Sequence, residues 1–441
     1  MTMERFSTIL SRTFPARDHR AISLLWILFP AFLLLSPPIA RAGDLPVTDT
    51  RQFLARFWQR PLAKQTSAQI FPQRICRPLA VETCGCCHEA QHRDWSGSRH
   101  ALALGPGAIG QFYGMEEEQW QSCLDCHAPL REQSLSLARY LEESSGEPET
   151  GEAIPNAVDG EPRSQPQSVH RPLHRQGVSC PVCHVRDGRW YGPPRREGLL
   201  PLAAAENLPH RGWLSAEAFG DSRFCAACHQ FPPGGHSLRG KPLENTYQEW
   251  RASPQARRGI HCQGCHMPDR RHRFRGIHDL GTVRAGSEAG SSGFSVSEGR
   301  INVRVTLTNT GTGHLLPTYA TPEIRLEAWQ EDRSGNPIPG TEAVQWVARR
   351  VDLQITTEHF DTRLAPGQSM TLVYQKPRSP QANRLLTRIR VEPDAFYTRI
   401  YRALLEMELE DPGARWIRRA LAESQQSAFT LYQKHYSLPE K

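Results

Sequence analysis

Five copies of C-x-x-C-H constrain this chain more than any other feature. They stand at Cys84/Cys87/His88, Cys123/Cys126/His127, Cys180/Cys183/His184, Cys225/Cys228/His229 and Cys262/Cys265/His266, and they use ten of the twelve cysteines. The histidine that follows each pair without a gap decides the chemistry. Each cysteine can form a thioether to the edge of a porphyrin, and the adjacent imidazole turns under the ring to bind iron. A zinc ribbon needs its C-x-x-C pairs to cooperate two by two across roughly 15–20 residues and has no duty for the extra histidine. Here the first cysteines are 39, 57, 45 and 37 residues apart, and five pairs is an odd number. The reading is five covalently bound haem c groups held by these motif cysteines, with His88, His127, His184, His229 and His266 as proximal iron ligands.

The N-terminus fits that chemistry. Arg5, Arg12, Arg17 and Arg20 precede the apolar run 21–35, and "ARA" (40–42) precedes Gly43. A positive segment, an apolar segment and an A-x-A site define a signal peptide over 1–42. The run has 15 residues and contains Pro30, short of the about 20 that a spanning helix needs. The expected location is therefore exported, periplasmic or at the cell surface of a bacterium. Membrane contact is expected to be peripheral at most, or through an uncleaved signal.

Removing residues 1–42 takes the formal charge from +7 to +4. Ten ionised propionates would bring the holoprotein to about −6, so the basic sequence is no argument for nucleic-acid binding. Arginine outnumbers lysine 48 to 5. A GC-rich genome explains that bias, and so do guanidinium forks that hold propionates in bidentate pairs.

Beyond an N-terminal segment (43–75), the motif region 76–283 devotes roughly 41 residues to each haem. So little peptide builds no independent apolar core, so the macrocycles must supply the buried apolar surface. Short helices are expected around the motifs. Residues 142–168 are rich in Glu, Pro, Gly and Ser without periodicity and read as a mobile insertion. "RAGSEAGSSG" (284–293) reads as a flexible linker. After it the period becomes two: residues 301–309, 324–330, 369–375 and 385–391 alternate apolar with polar side chains, with turn clusters such as 331–337 between them. That pattern predicts an antiparallel β-sandwich-like domain over 294–395. The segment 396–441 reads as helical: Ile400, Ala403, Leu404 and Met407 share one face. Asp411-Pro412 then has the form of an N-cap and N1 proline for a second helix carrying Trp416, Ile417, Leu421 and Leu431. The fold class is thus mixed: an irregular, short-helical pentahaem domain, a sandwich-like β-domain and C-terminal helices.

Several phrases carry a family likeness. The first motif with "DWSGSRHA" (94–101) resembles the multihaem cytochromes related to cytochrome c-554 and hydroxylamine oxidoreductase, in which W-x-x-S-x-H-A follows a haem motif. "CLDCHAPL" (123–130), residues 177–194, 245–254 and 261–279 are similar to phrases of the same group. "NTGTGHLLPT" (309–318) resembles a G-H-x-x-P-T loop of β-domains appended to such proteins. The resemblance implies that His100 and His314 are distal iron ligands.

The sixth ligand decides function, because two strong axial protein ligands carry electrons and an open position does chemistry. Twelve further histidines follow residue 42, against only Met115, Met267, Met370 and Met407. Bis-histidine ligation is the economical reading. His100 lies twelve residues past His88, within reach of a neighbouring haem. His314 sits in a Gly-rich turn stiffened by Pro317. His272 and His278 are six residues apart and could serve two irons. The fifth distal ligand is assigned to His174, with His170 and His236 as alternatives. Cys76 and Cys86 fall outside the motifs and are candidates for a disulfide.

Three functions follow. The leading one is an electron carrier working with redox partner proteins, other cytochromes or a quinol-linked donor; it calls for no catalytic residue. The second is an oxidoreductase of a small nitrogen or sulfur species at one open iron, although no C-x-x-C-K variant occurs. The third is a homo-oligomeric extracellular filament in which copies share a ligand.

Overall fold

The computed structural model describes residues 49–65, 79–143, 171–196, 210 and 212–439. The expected signal peptide, Cys76 and its bridge to Cys86, His170 and most of the 142–168 insertion lie outside the described residues.

Motif residues occupy short helices: Val81–Gly85, Glu117–His127, Cys180–His184, Ser222–Ala226 and Cys262–His266. The short pieces follow from the C-x-x-C-H geometry, which needs one turn to bring two sulfurs and an imidazole to one side. Apolar clusters in this half are small and separate, such as Leu62, Leu130 and Val182, or Leu79 and Val185. The space between them is one continuous, mainly apolar cavity of about 2920 Å³ into which all five motifs open.

The second half has a core of its own. Eight antiparallel strands, β1 (Ser287–Ser297), β2 (Arg300–Asn309), β3 (Glu323–Glu331), β4 (Ala343–Val351), β5 (Glu358–Asp361), β6 (Ser369–Pro377), β7 (Arg384–Glu392) and β8 (Phe429–Ser437), form two sheets, ordered β5-β4-β3-β7-β8 and β6-β2-β1. Ile301, Val303, Val305 and Leu307 of β2 point inward at alternate positions and meet Ile324, Leu326, Leu385 and Ile389 of the facing sheet. Each such burial is worth about 1.5–3 kcal/mol.

Three sequence expectations fail here. Residues 287–293 are no flexible linker but the start of β1, whose small residues pair with β2 through an irregularity between Ser292 and Ser295. Leu431 is not helical: it lies in β8, the edge strand paired with β7. The two C-terminal helices are α1 (Ala395–Glu406) and α2 (Gly413–Gln426), and Pro412 stands at the N-cap of α2 rather than inside it. They leave the sandwich and cover the motif region: Trp416, fully buried, packs with Leu104, Ile109, Phe112 and Leu124 beside Cys123. None of the described helices is long and apolar enough to cross a membrane.

A buried ionic seam fastens the sandwich to the motif half. Arg363 binds Glu249 at 3.2 Å and Asp361 at 2.8 Å; Arg349 binds Glu358 at 2.9 Å and donates to the carbonyls of Pro242 and Lys241; Lys241 reaches Glu358 at 2.8 Å and Asp361 at 2.6 Å. Removing one partner strands a buried charge. Arg363→Ala is expected to cost about 3–5 kcal/mol of stability, read as a lowered thermal midpoint, whereas Arg363→Lys should restore part of it.

Candidate multihaem site

Four of the five motif imidazoles face a second imidazole across the cavity. The ring-centroid separations are 6.2 Å for His88–His210, 6.2 Å for His100–His229, 6.2 Å for His184–His272 and 6.3 Å for His266–His314. Two metal–imidazole bonds of about 2.0–2.1 Å, plus roughly 1.1 Å from each centroid to its nitrogen, add up to about 6.3 Å. The spacing is that of two rings sharing one metal ion.

The ring nitrogens agree. Nδ1 of His127 lies 2.6 Å from the Ala103 carbonyl, His184 2.8 Å from Tyr191, His266 2.6 Å from Arg275, His210 2.8 Å from Gly212, His272 2.9 Å from Arg270 and His314 2.8 Å from Leu315. A carbonyl oxygen only accepts, so each Nδ1 carries the hydrogen and each Nε2 keeps its lone pair. His229 is tied differently, to the Tyr319 hydroxyl at 2.7 Å. Burial drives His100 down to about 3, helped by His229, His266 and His272 beside it, and holds His184, His229 and His314 at about 4. Neutral imidazole is the form that binds a metal.

Local backbone explains how His100 reaches its place. Gly177, at φ +54°, brings its segment so close to His100 that a Cβ would collide with the carbonyl, and the next amide, Val178, donates to that carbonyl at 2.9 Å. His314 is set by Asn309, whose side-chain amide donates to the His314 carbonyl at 3.1 Å, and by Leu315 N–H donating to Glu249 at 3.2 Å.

Not every histidine singled out in the sequence stands opposite a motif imidazole. His174 does not: its Nδ1 meets Ser136 at 3.0 Å, its ring packs on Tyr140 at 4.9 Å, and it lies outside the cavity wall. His278 spends its Nε2 on Asp394 at 3.1 Å. His210, which takes a place opposite His88, has no motif or spacing that marks it in the sequence. Among the described residues no imidazole stands opposite His127.

The cysteines, thiols here and thioethers once a haem is attached, reveal the order of the motifs in space. Arg60 donates to Cys126 at 3.2 Å and to Cys228 at 2.9 Å, joining the second and fourth motifs. Cys84 contacts Cys180, and Cys225 contacts Cys262 and stands near Cys183. The fourth motif therefore adjoins the second, third and fifth, and the first is reached through the third. All four cationic side chains on the cavity wall, Arg99, Arg270, Arg275 and Arg419, are arginine.

The donor set and the cavity fit haem: paired neutral imidazoles at single-metal spacing, cysteine pairs one turn apart, and roughly 580 Å³ of cavity for each motif, within the range of a site for one mid-sized molecule. The fold is that of a multihaem c-type cytochrome. A solved structure of a penta-haem cytochrome c552 from Thermochromatium tepidum matches with a TM-score of 0.54 at 19% identity, covering 81% of this chain and 98% of that one. No family model and no curated protein matches the sequence.

Proposed function

We propose that the chain is an exported electron carrier holding five haem c groups. Iron would be bound by His88 with His210, His229 with His100, His184 with His272, His266 with His314, and by His127. The observation that carries this reading is the set of four imidazole pairs at 6.2–6.3 Å. Haem, once bound, supplies a reversible one-electron carrier. The chain's residues hold it in place, keep the imidazoles neutral and exclude water. Bis-histidine ligation gives low potentials relative to histidine–methionine ligation, which suits a partner such as another cytochrome or a quinol-linked donor. A homo-oligomer is compatible with this role. Export is the reading of residues 1–42, and the mass of the secreted protein tests it together with the haem count: five haem masses above the chain beginning at Gly43 are expected.

A second reading, a small-molecule oxidoreductase, is favoured by the surroundings of His127. Tyr397 borders Cys123 and stacks on Tyr401 at 5.9 Å; burial and the nearby Asp394 raise its phenol above the ordinary value. Asp394 keeps its charge against burial through His278 and Arg99. Gly107 makes room for the Tyr401 hydroxyl, which a Cβ would displace. Phenols, a guanidinium and a carboxylate–imidazole pair are the donors and acceptors that a ligand on an open iron would need. On this second reading one haem in five is high-spin at rest and binds carbon monoxide when reduced. The paramagnetic resonance spectrum and a carbon monoxide titration check this. Turnover of nitrite or hydroxylamine above a free-haem control would favour the enzyme. Five low-spin haems that ignore carbon monoxide would leave the carrier alone, and high-spin haem appearing on dilution would point to a ligand shared between copies.

A further inference from the structure

His229 is set apart by its partner, the side chain of Tyr319 rather than a backbone carbonyl, and that hydroxyl lies beside a buried cluster of hydrogen bonds. Tyr319 stands beside Thr246. Thr246 Oγ1 lies 2.8 Å from Glu244 Oε1 and 2.8 Å from Thr318 Oγ1, and Thr318 lies 2.6 Å from Glu249 Oε2. Three contacts thus join Thr246 and Thr318 to two carboxyl groups, beside the tyrosine that holds the His229 ring. The hydroxyl protons available to them are two, one on each threonine. The third contact is a hydrogen bond only if a carboxyl group brings a proton of its own.

The two carboxyls differ in what balances them. Glu249 is ion-paired with Arg363 at 3.2 Å and accepts the Leu315 amide at 3.2 Å. Glu244 has no cationic partner among the described residues. It is faced by Tyr319, Glu249, Cys126 of the second motif and Tyr397 of α1, and it lines the cavity shared with the haem motifs. With the proton on Glu244 every donor has one acceptor: Glu244 donates to Thr246, Thr246 to Thr318, and Thr318 to ionised Glu249. Burial and the neighbouring Glu249 push the Glu244 carboxyl up to about 8, in line with that count.

We propose that Glu244 is a redox-linked proton site: its carboxyl holds this third proton while the His229 site carries an electron and releases it when the electron leaves. One electron from a reducing partner protein takes the His229 iron from ferric to ferrous, and one proton from bulk water forms the O–H bond on Glu244. Oxidation returns both. The pair moves without changing the net charge of the buried region, which is the physical reason to couple them. The sign is fixed: with the proton bound in the reduced form, raising the pH lowers the potential of this haem, by at most 59 mV for each tenfold fall in proton concentration. The inference rests on the reading that His229 holds iron.

The test uses the full haem-loaded chain and its Glu244→Gln variant, a neutral side chain of the same shape. A peptide mass first establishes haem on Cys225 and Cys228 in both; its absence would sink the parent reading along with this one. Reduced-minus-oxidised infrared spectra should show a protonated-carboxyl band gained on reduction in the parent protein and missing in the variant. Potentiometry should show one haem whose potential falls with pH in the parent protein and is flat in the variant, the other four being unchanged. Tyr319→Phe, which perturbs the His229 haem alone, identifies that haem in the titration. A band that survives Glu244→Gln, or an equal pH slope in both proteins, overturns the proposal.

Discussion

Replacing His314 by alanine is expected to turn one low-spin haem of the ferric protein high-spin while all five remain attached. The His314 ring faces His266 at 6.3 Å with a 13° angle between planes, the most parallel of the four pairs, and its Nδ1 is occupied by the Leu315 carbonyl. Deleting it removes a ligand and no thioether. The variant should therefore show one more high-spin haem per chain than the parent protein. Imidazole added from solution should return the new one to the low-spin state, because the deleted ring leaves a space of its own size. The potential of that haem should rise on losing its second imidazole. Paramagnetic resonance with and without imidazole is the measurement, and an unchanged spectrum would return His314 to a turn histidine with no part in electron flow.

The largest functional loss is expected from the fourth motif. Its cysteines adjoin those of the second and fifth motifs, and Cys225 stands near Cys183 of the third. Electrons crossing between the first or third site and the second or fifth have to pass it. Replacing Cys225 and Cys228 by alanine should leave four haems by mass and lower the rate of electron passage through the molecule by an order of magnitude or more. The same pair of substitutions at Cys84 and Cys87, at the end of the row, should also remove one haem yet leave passage among the other four intact. Stopped-flow reduction followed haem by haem separates the two variants. Equal loss in both would mean that the motifs do not conduct in the order their cysteines touch.

The motifs were legible because covalent chemistry fixes their spacing, and the strands because one face of a sheet is buried, which imposes period two on 301–309, 324–330, 369–375 and 385–391. Distal ligands leave no such mark. A histidine opposite an iron needs only to arrive from somewhere, and His210 stands in a sequence with neither motif nor period. His174 was attractive for lying six residues before Cys180, but nearness along the chain is not nearness in space, and Ser136 and Tyr140 hold its ring elsewhere. His100, His272 and His314 each face a motif imidazole; His278 answers to Asp394 instead. Composition misled twice. The Gly/Ser-rich stretch at 287–293 pairs as a strand because β2 offers it a ladder, and Leu431, which follows a helix, pairs with β7 at the sheet edge.

Each imidazole pair joins residues far apart in sequence: 88 with 210, 100 with 229, 184 with 272, and 266 with 314. Every one of these spans overlaps the next, so with iron in place they form an unbroken row of interlocked links from the first motif into the sandwich. Metal–ligand closures of this kind act as cross-links do, removing freedom from the unfolded chain. The interlocking also sets an order of manufacture. Under the proposed ligation the first and third motifs cannot be finished before the stretches carrying His210 and His272 have been made, and the fifth waits for the β-domain. On the same reading haem attachment, which needs only the local C-x-x-C-H, runs ahead of ligation, and a chain cut short before residue 314 would carry every haem and still lack its last clasp.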